Sequence, residues 1–378
     1  MTLSIFAVCA PGLEPILQQE LRALGIESGV AEPGGVTFTG TAEAIYRVNL
    51  WLRVASRITA RVGEFQVRAL GELERRARQQ PWEEYVSAGR PVRIRVTSRK
   101  SRLYHTGAVA ERIASAIEAR VGGGTDIALA KGDEDSVADD AQLIVARVLH
   151  DRCTLSADSS GALLHRRGYR LATAKAPLRE TLAAALLLAS EWDVHAPLLD
   201  PMCGAGTIAI EAALLARRIA PGLHRQFAFM HWPGFDAALW RRLLDAARAR
   251  VRSSTAAPIQ ASDRDAGAIE AATSNAERAG VLRDVELTQR PLSAIEPPPT
   301  RGWIVTNPPY GARVGERDRL RNLYAQLGNV ARRKCAGWTL TLLSPDPRLD
   351  GQIGVPLERV LETRNGGLAV RVVRGEVE

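Results

Sequence analysis

Apolar and polar positions change rhythm three times along the chain. Residues 3–8 read as a strand, and 14–24 carry an amphipathic helical repeat that Gly25 stops. Gly34-Gly35 turns the chain into a strand at 36–38, Thr41 stands as the cap of a helix over 42–50, and 54–62 reads as a further strand. This β-α-β-α-β order predicts a small ferredoxin-like unit. A second unit follows. It has a charged helix at 70–80, a strand at 91–97, a helix at 105–120 closed by Gly122-Gly123-Gly124, and a hairpin of 141–149 and 152–157 around His150-Asp151.

From about residue 165 strands and helices alternate. Helices are expected at 178–190, 208–218, 266–279 and 319–333. Strands are expected at 196–199, 259–262, 285–287, 303–306 and 339–343, with two more near 357–363 and 367–373. Residues 217–258 form an insertion with its own helix at 237–251. Alternation of this kind implies an α/β fold whose mostly parallel sheet is covered on both faces.

The 378 residues suit two or three domains, and 46% hydrophobic with 24% charged residues is ordinary for a soluble globular protein. A net charge of +8 permits a polyanionic partner such as RNA. Only four of the 50 cationic residues are lysines (Lys100, Lys131, Lys175, Lys334), a bias that a GC-rich genome also produces, so charge alone does not select nucleic acid. Cys9, Cys153, Cys203 and Cys335 are widely spaced, which argues against a zinc site and a disulfide framework and favours the cytoplasm. No metal is expected. The N-terminus lacks a basic leader and reads as a strand, and the apolar run at 181–190 is too short to span a bilayer.

Two segments carry the chemistry, each at the end of an apolar run. The first is Leu199-Asp200-Pro201-Met202-Cys203-Gly204-Ala205-Gly206-Thr207. A strand ending in Asp200, a glycine turn and a helix opening at Thr207 make a recurrent nucleotide site, in which Gly204 and Gly206 let the backbone approach a ligand. The run also satisfies Gly-x-Gly-x-x-Ala at Gly204, Gly206 and Ala209, so a dinucleotide and an oxidoreductase come into question. Asp200 decides between them: a carboxylate there repels a pyrophosphate and suits the cationic methionine end of S-adenosylmethionine. Asp263, with Arg264 beside it, ends the next strand where an acid can accept ribose hydroxyls, while Asp265 is placed to cap the following helix.

The second segment is Asn307-Pro308-Pro309-Tyr310. An exocyclic base amine is a poor nucleophile because its lone pair is delocalised into the ring. The side-chain oxygen of Asn307 and the carbonyl of Pro308, stiffened by Pro309, can accept its two N–H bonds, and Tyr310 can stack on the base. Asn307 thus serves both the base and the cofactor side. A cytosine-C5 mechanism needs a cysteine nucleophile, and Cys203 reads instead as a small packing residue inside the cofactor turn. These residues point to an S-adenosylmethionine-dependent methyltransferase acting on a nucleobase amine.

Taken with Lys175-Ala176-Pro177-Leu178-Arg179-Glu180-Thr181, the insertion run Phe227-Ala228-Phe229-Met230-His231-Trp232-Pro233 and the connector Arg167-Gly168-Tyr169-Arg170, these motifs resemble the THUMP-domain guanine-N2 RNA methyltransferases over nearly the whole chain. The likeness is greatest to the 23S rRNA enzymes, here as one methyltransferase unit. The resemblance implies a ferredoxin-like subdomain at 1–64, a THUMP RNA-binding domain at 65–160 and a Rossmann-like class I methyltransferase domain at 161–378. It implies that Pro177, Arg179 and Thr181 lie over S-adenosylmethionine together with Met202 and Cys203. It implies an RNA substrate, 23S rRNA or alternatively tRNA, with an adenine-N6 activity as a further alternative of the same chemistry. Such enzymes often carry an acid after the strand at 285–287, where this chain has Thr288-Gln289-Arg290-Pro291-Leu292, so adenine contact falls to backbone groups, Gln289, Leu292 or Ser293. Arg93, Arg95, Arg99, Lys100 and Arg102 then read as phosphate contacts, as does Arg313 past the catalytic loop.

Overall fold

The computed structural model describes residues 2–122, 125–130, 140–170, 178–310 and 317–378. The chain begins with β1 (Leu3–Val8), α1 (Glu14–Ala23), β2 (Val30–Glu32), β3 (Gly35–Gly40), α2 (Ala42–Trp51) and β4 (Arg57–Gln66). It continues with α3 (Leu70–Arg78), β5 (Val92–Arg99), α4 (Thr106–Val121), β6 (Ile127–Leu129), β7 (Gln142–Leu149) and β8 (Arg152–Asp158). β4 joins the two groups. It pairs antiparallel with β1 on one side and with β8 on the other, so one eight-stranded sheet of order β2-β3-β1-β4-β8-β7-β5-β6 crosses residue 64. Alternate residues go under the helices, as Val92 and Ile94 do in β5, and leave Arg93 and Arg95 on the other face.

The strand expected at 54–62 lies three to four residues later, at β4. Residues 53–56 are largely buried, yet they form a loop because the Glu20 carboxylate accepts the N–H groups of Arg53 (2.8 Å) and Val54 (3.0 Å). A side chain there takes the place of a neighbouring strand. Thr41 occupies the N-cap position of α2 but makes no side-chain cap bond.

The remainder holds α5 (Glu180–Ala189), β9 (Leu198–Asp200), α6 (Thr207–Ala216), α7 (Ala237–Ala249), β10 (Ile259–Asp263), α8 (Ala266–Arg278), β11 (Val285–Gln289), β12 (Trp303–Thr306), α9 (Arg317–Lys334), β13 (Thr339–Ser344), α10 (Pro347–Ile353), β14 (Glu358–Asn365) and β15 (Leu368–Glu376). Their sheet has the order β11-β10-β9-β12-β13-β15-β14. The five strands from β11 to β13 in that order are parallel, and the last hairpin adds antiparallel to β13. α5 and α6 are apolar nearly all round and are correspondingly buried.

The insertion between α6 and β10 docks the two sheets together. Tyr46 of α2 stacks on Phe229 with centroids 4.5 Å apart, and Trp240 of α7 meets Phe229 edge-on at 5.3 Å. The Trp232 indole donates to Gln142 Oε1 of β7 (2.9 Å), and the Phe229 N–H donates to the Ser159 carbonyl just after β8 (3.1 Å). Beneath this lies a buried charge cluster. Glu211 of α6 accepts from the Tyr169 hydroxyl (3.1 Å) and faces Arg167 (3.5 Å) and Arg53 (4.0 Å). Arg167 also donates to the Arg53 carbonyl (2.6 Å).

Candidate active site

A cavity of about 1150 Å³ opens at the carboxyl ends of β9, β10 and β12, the edge where ligands bind in open α/β sheets. β9 delivers Asp200 to its floor. Asp200 Oδ1 accepts from the Met202 N–H (3.3 Å) and from the Thr306 hydroxyl at the end of β12 (2.8 Å), which locks the two motif loops together. Oδ2 is buried and has no hydrogen-bond partner among the described residues. Desolvation raises the Asp200 carboxyl from 3.8 to about 7, with the neighbouring Asp263 charge adding to it against the Thr306 and Met202 hydrogen bonds.

The glycine loop is held from outside. Asp263 Oδ2 accepts from Gly204 N–H (3.0 Å), while Oδ1 accepts from Asp265 N–H (3.0 Å). Asp265 caps α8 by accepting from Ala268 N–H (3.1 Å). Gly204 has φ +52° and open space where a Cβ would stand, so the backbone itself faces the cavity. Gly206 is different. It has φ +79°, and a Cβ there would sit 2.9 Å from Ala272 Cβ, so its bareness serves the packing of α6 on α8 rather than a ligand.

Arg170 ties the other rim. Its guanidinium donates to the Leu178 carbonyl (2.6 Å) and to the Thr207 hydroxyl (2.9 Å), and pairs with Glu180 (3.3 Å). Leu178 and Arg179 thereby reach the cavity, whereas Thr181 is buried in the first turn of α5 away from its lining. Sequence reasoning gave Arg170 no role; its place in the connector motif was the available signal. Pro177 lies outside the described residues, as does Arg313.

Met202, Cys203, Thr207, Asp263 and Arg264 all line the cavity. Pro291 and Leu292 line it beyond β11, while Gln289 points its amide at the Arg264 carbonyl (3.4 Å). Burial pushes the Cys203 thiol well up, with the Asp200 and Asp263 charges adding to it. Cys9, Cys153 and Cys335 are buried and raised too, chiefly by desolvation, so no cysteine of the chain is poised as a thiolate.

Asn307, Pro308, Pro309 and Tyr310 face the same cavity from the end of β12. Asn307 Oδ1 is buried with no partner among the described residues. The Tyr310 hydroxyl receives a hydrogen bond from Asn365 Nδ2 of the β14–β15 turn, an interaction the sequence did not suggest. Two orphaned acceptors therefore belong to residues that line one cavity. One is an anionic oxygen beside an open glycine backbone, which fits a cationic nucleotide cofactor. The other is a neutral amide oxygen beside prolines and an aromatic ring, which fits a flat base bearing N–H groups.

The basic strand lies elsewhere, on the outer face of the first sheet. Arg93 pairs with Asp126 (2.8 Å), and Arg102 Nε stands 3.9 Å from Asp151. Arg99 and Lys100 are exposed at the exit of β5, where Lys100 has φ +49°. Arg95 projects from the same face. Among the described residues there is no cluster of His, Cys, Asp and Glu fit to hold a metal, and no helix long and apolar enough to cross a membrane.

This fold and site define a class of protein, the methyltransferases built on a nucleotide-binding α/β sheet. Residues 167–370 match the RMKL-like methyltransferase domain and residues 4–59 the RlmL ferredoxin-like domain; the chain belongs to the RMKL-like methyltransferase family. It is 37% identical over 98% of its length to the Synechocystis protein slr0064, named as an RNA methyltransferase, and covers 96% of that protein. It is also 37% identical to the ribosomal RNA large subunit methyltransferase K/L of Syntrophotalea carbinolica, matching 99% of this chain and 54% of that one. The chain thus spans about half the length of the K/L relatives it matches. Among solved structures, SMU.472 in complex with SAH superposes with a TM-score of 0.88 at 30% identity, covering 100% of this chain and 98% of that one.

Proposed function

We propose that the protein transfers a methyl group from S-adenosylmethionine to the exocyclic N2 amine of a guanine in RNA, with large-subunit rRNA as the substrate. The observation that carries the reading is the partnerless Asn307 oxygen, buried in the same cavity as the partnerless Asp200 oxygen. The rRNA assignment draws on the K/L relatives, and RNA in general on the Synechocystis relative. S-adenosylmethionine supplies an electrophilic methyl group on a sulfonium sulfur that leaves as a neutral thioether. Asp200 and the Gly204 backbone would hold its methionine end, Asp263 its ribose, and Pro291 with Leu292 its adenine.

The residues of the chain then have a positioning task. Asn307 Oδ1 and the Pro308 carbonyl accept the two amine N–H bonds and aim the nitrogen lone pair at the methyl carbon. Tyr310 stacks on the base, its ring held by Asn365. No strong base is required, because the amine becomes acidic once methylated. Residues 65–160 would serve as the THUMP module, laying Arg95, Arg99 and Lys100 against phosphates.

Methyl transfer from labelled S-adenosylmethionine to unmodified 23S rRNA and, separately, to unmodified tRNA tests this, with nucleoside analysis of the product. The expected product is N2-methylguanosine in rRNA. Asn307→Ala should lower kcat by about 10²–10³-fold, as loss of a preorganised hydrogen bond at a reacting centre does. N2-methylguanosine only in tRNA would move the substrate and keep the chemistry. Transfer to adenine would overturn the base assignment.

A further inference from the structure

The cavity exceeds what one ligand needs, and the sheet divides it. Sites for a single small molecule run to about 1,000 Å³, and this one reaches about 1150 Å³. In the order β11-β10-β9-β12-β13-β15-β14, the residues that suit the cofactor come from β9, β10 and β11 and the loops after them. Beyond β12 the wall has a different origin. α9 presents Arg319, Asn322 and Gln326, and the β14–β15 turn presents Asn365 and Leu368. Spacings of three and four residues put the α9 side chains on one face of the helix. Asn322 and Gln326 are exposed to the cavity, and neither has a hydrogen-bond partner among the described residues. Leu368 is an apolar side chain 53% exposed at the rim.

We propose that this far half receives the extruded target nucleotide, and that the carboxamides of Asn322 and Gln326 read the Watson–Crick edge of its base. The proposal rests on the guanine-N2 reading above and adds how guanine is selected. With N2 engaged by Asn307 and Pro308, the same edge of guanine still offers N1–H as a donor and O6 as an acceptor. A carboxamide carries an acceptor oxygen and a donor nitrogen side by side, the complement of that pair. Tyr310, fixed by Asn365, supplies one stacking face, and Leu368 stands where it can close over the nucleotide. Arg319, one turn nearer the start of α9, suits the phosphate at the entrance. Polar side chains exposed and without partners are what a site filled only by a flipped base should show.

The test uses an RNA oligonucleotide centred on the methylated guanine and a second one with 2-aminopurine at that position. 2-Aminopurine keeps the N2 amine and lacks both N1–H and O6. Wild-type protein, Asn322→Ala and Gln326→Ala are compared by kcat/KM on both RNAs, with S-adenosylmethionine affinity measured by calorimetry as a check on the fold. The carboxamide variants should lose about tenfold on guanine and less than about twofold on 2-aminopurine, at unchanged cofactor affinity, since each gives up hydrogen bonds that only guanine makes. If wild-type protein prefers guanine and both variants keep that preference, this pocket assignment falls and the guanine-N2 reading stands. If wild-type protein methylates adenine rather than guanine, the functional reading falls and this one with it.

Discussion

Replacing Asp200 by asparagine should stabilise the cofactor-free protein while abolishing tight cofactor binding. The carboxyl is raised from 3.8 to about 7 because it is desolvated and one oxygen lacks a partner. A folded value above the unfolded one means that the folded state holds the proton longer. The associated stability is complete below pH 3.8, declines as pH rises, and is gone above pH 7. The gap between 3.8 and 7 corresponds to about 4 kcal/mol at pH 8, and the portion lost between pH 5 and pH 8 to about 3 kcal/mol. The carboxamide of the Asp200→Asn variant cannot ionise, and its oxygen can still accept from Met202 and Thr306. Urea unfolding at pH 5, 6, 7 and 8 should therefore show Asp200→Asn gaining on wild type up to pH 7 and level beyond it. With cofactor at about 100 times Kd, wild type alone recovers about 2.7 kcal/mol. Wild-type affinity should rise up to tenfold per pH unit below 7 and then flatten, since the cationic ligand selects the ionised carboxylate. Unfolding curves for the two proteins that stay parallel from pH 5 to pH 8 would refute the reasoning.

Three further outcomes are expected. Glu211→Gln removes the carboxylate that both Arg53 and Arg167 face and leaves the Glu20 charge alone to offset two buried guanidiniums, so it should cost about 3 kcal/mol in urea unfolding; a loss under about 1 kcal/mol would show the cluster to be solvated. Asn365→Ala removes the donor to the Tyr310 hydroxyl, worth about 1 kcal/mol, and should lower kcat about fivefold with cofactor affinity unchanged; a change in cofactor affinity instead would place Tyr310 on the other side of the cavity. Arg99→Ala should weaken RNA binding alike for all sequences and reduce the slope of log K against log salt by about 1; a slope equal to that of wild type at several salt concentrations would mean Arg99 touches no phosphate.

The strands that end at the cavity were legible because the two informative loops each end an apolar run, and buried parallel strands read as such runs; their order in the sheet was not. Asp200 and Asn307 could be picked out for the same reason: a polar residue at the end of an apolar strand has nowhere to face but the edge of the sheet. The features that escaped the sequence have no local signature. That residues 53–56 are buried but not a strand depends on Glu20, thirty-three residues earlier than Arg53. The joining of two α+β groups into one sheet depends on β4 finding β8 across about ninety residues. α10 could have been read, since Asp346 before Pro347 is a cap followed by a helix-starting proline, and Asp346 does accept from Arg348 N–H (2.9 Å).

Arg170 brings the two kinds of information together. In the sequence it is one arginine in a basic connector, and a basic connector invites an RNA contact. In the fold its guanidinium is consumed by the Leu178 carbonyl, the Thr207 hydroxyl and Glu180. Three residues upstream, Arg167 is consumed by the Arg53 carbonyl and Glu211. The connector therefore holds the helix that follows the glycine loop on one side and the first α+β group on the other. If the first sheet grips RNA as proposed, a distance between grip and cavity set by buried ion pairs is what lets binding energy far from the reacting amine be used for orientation at it.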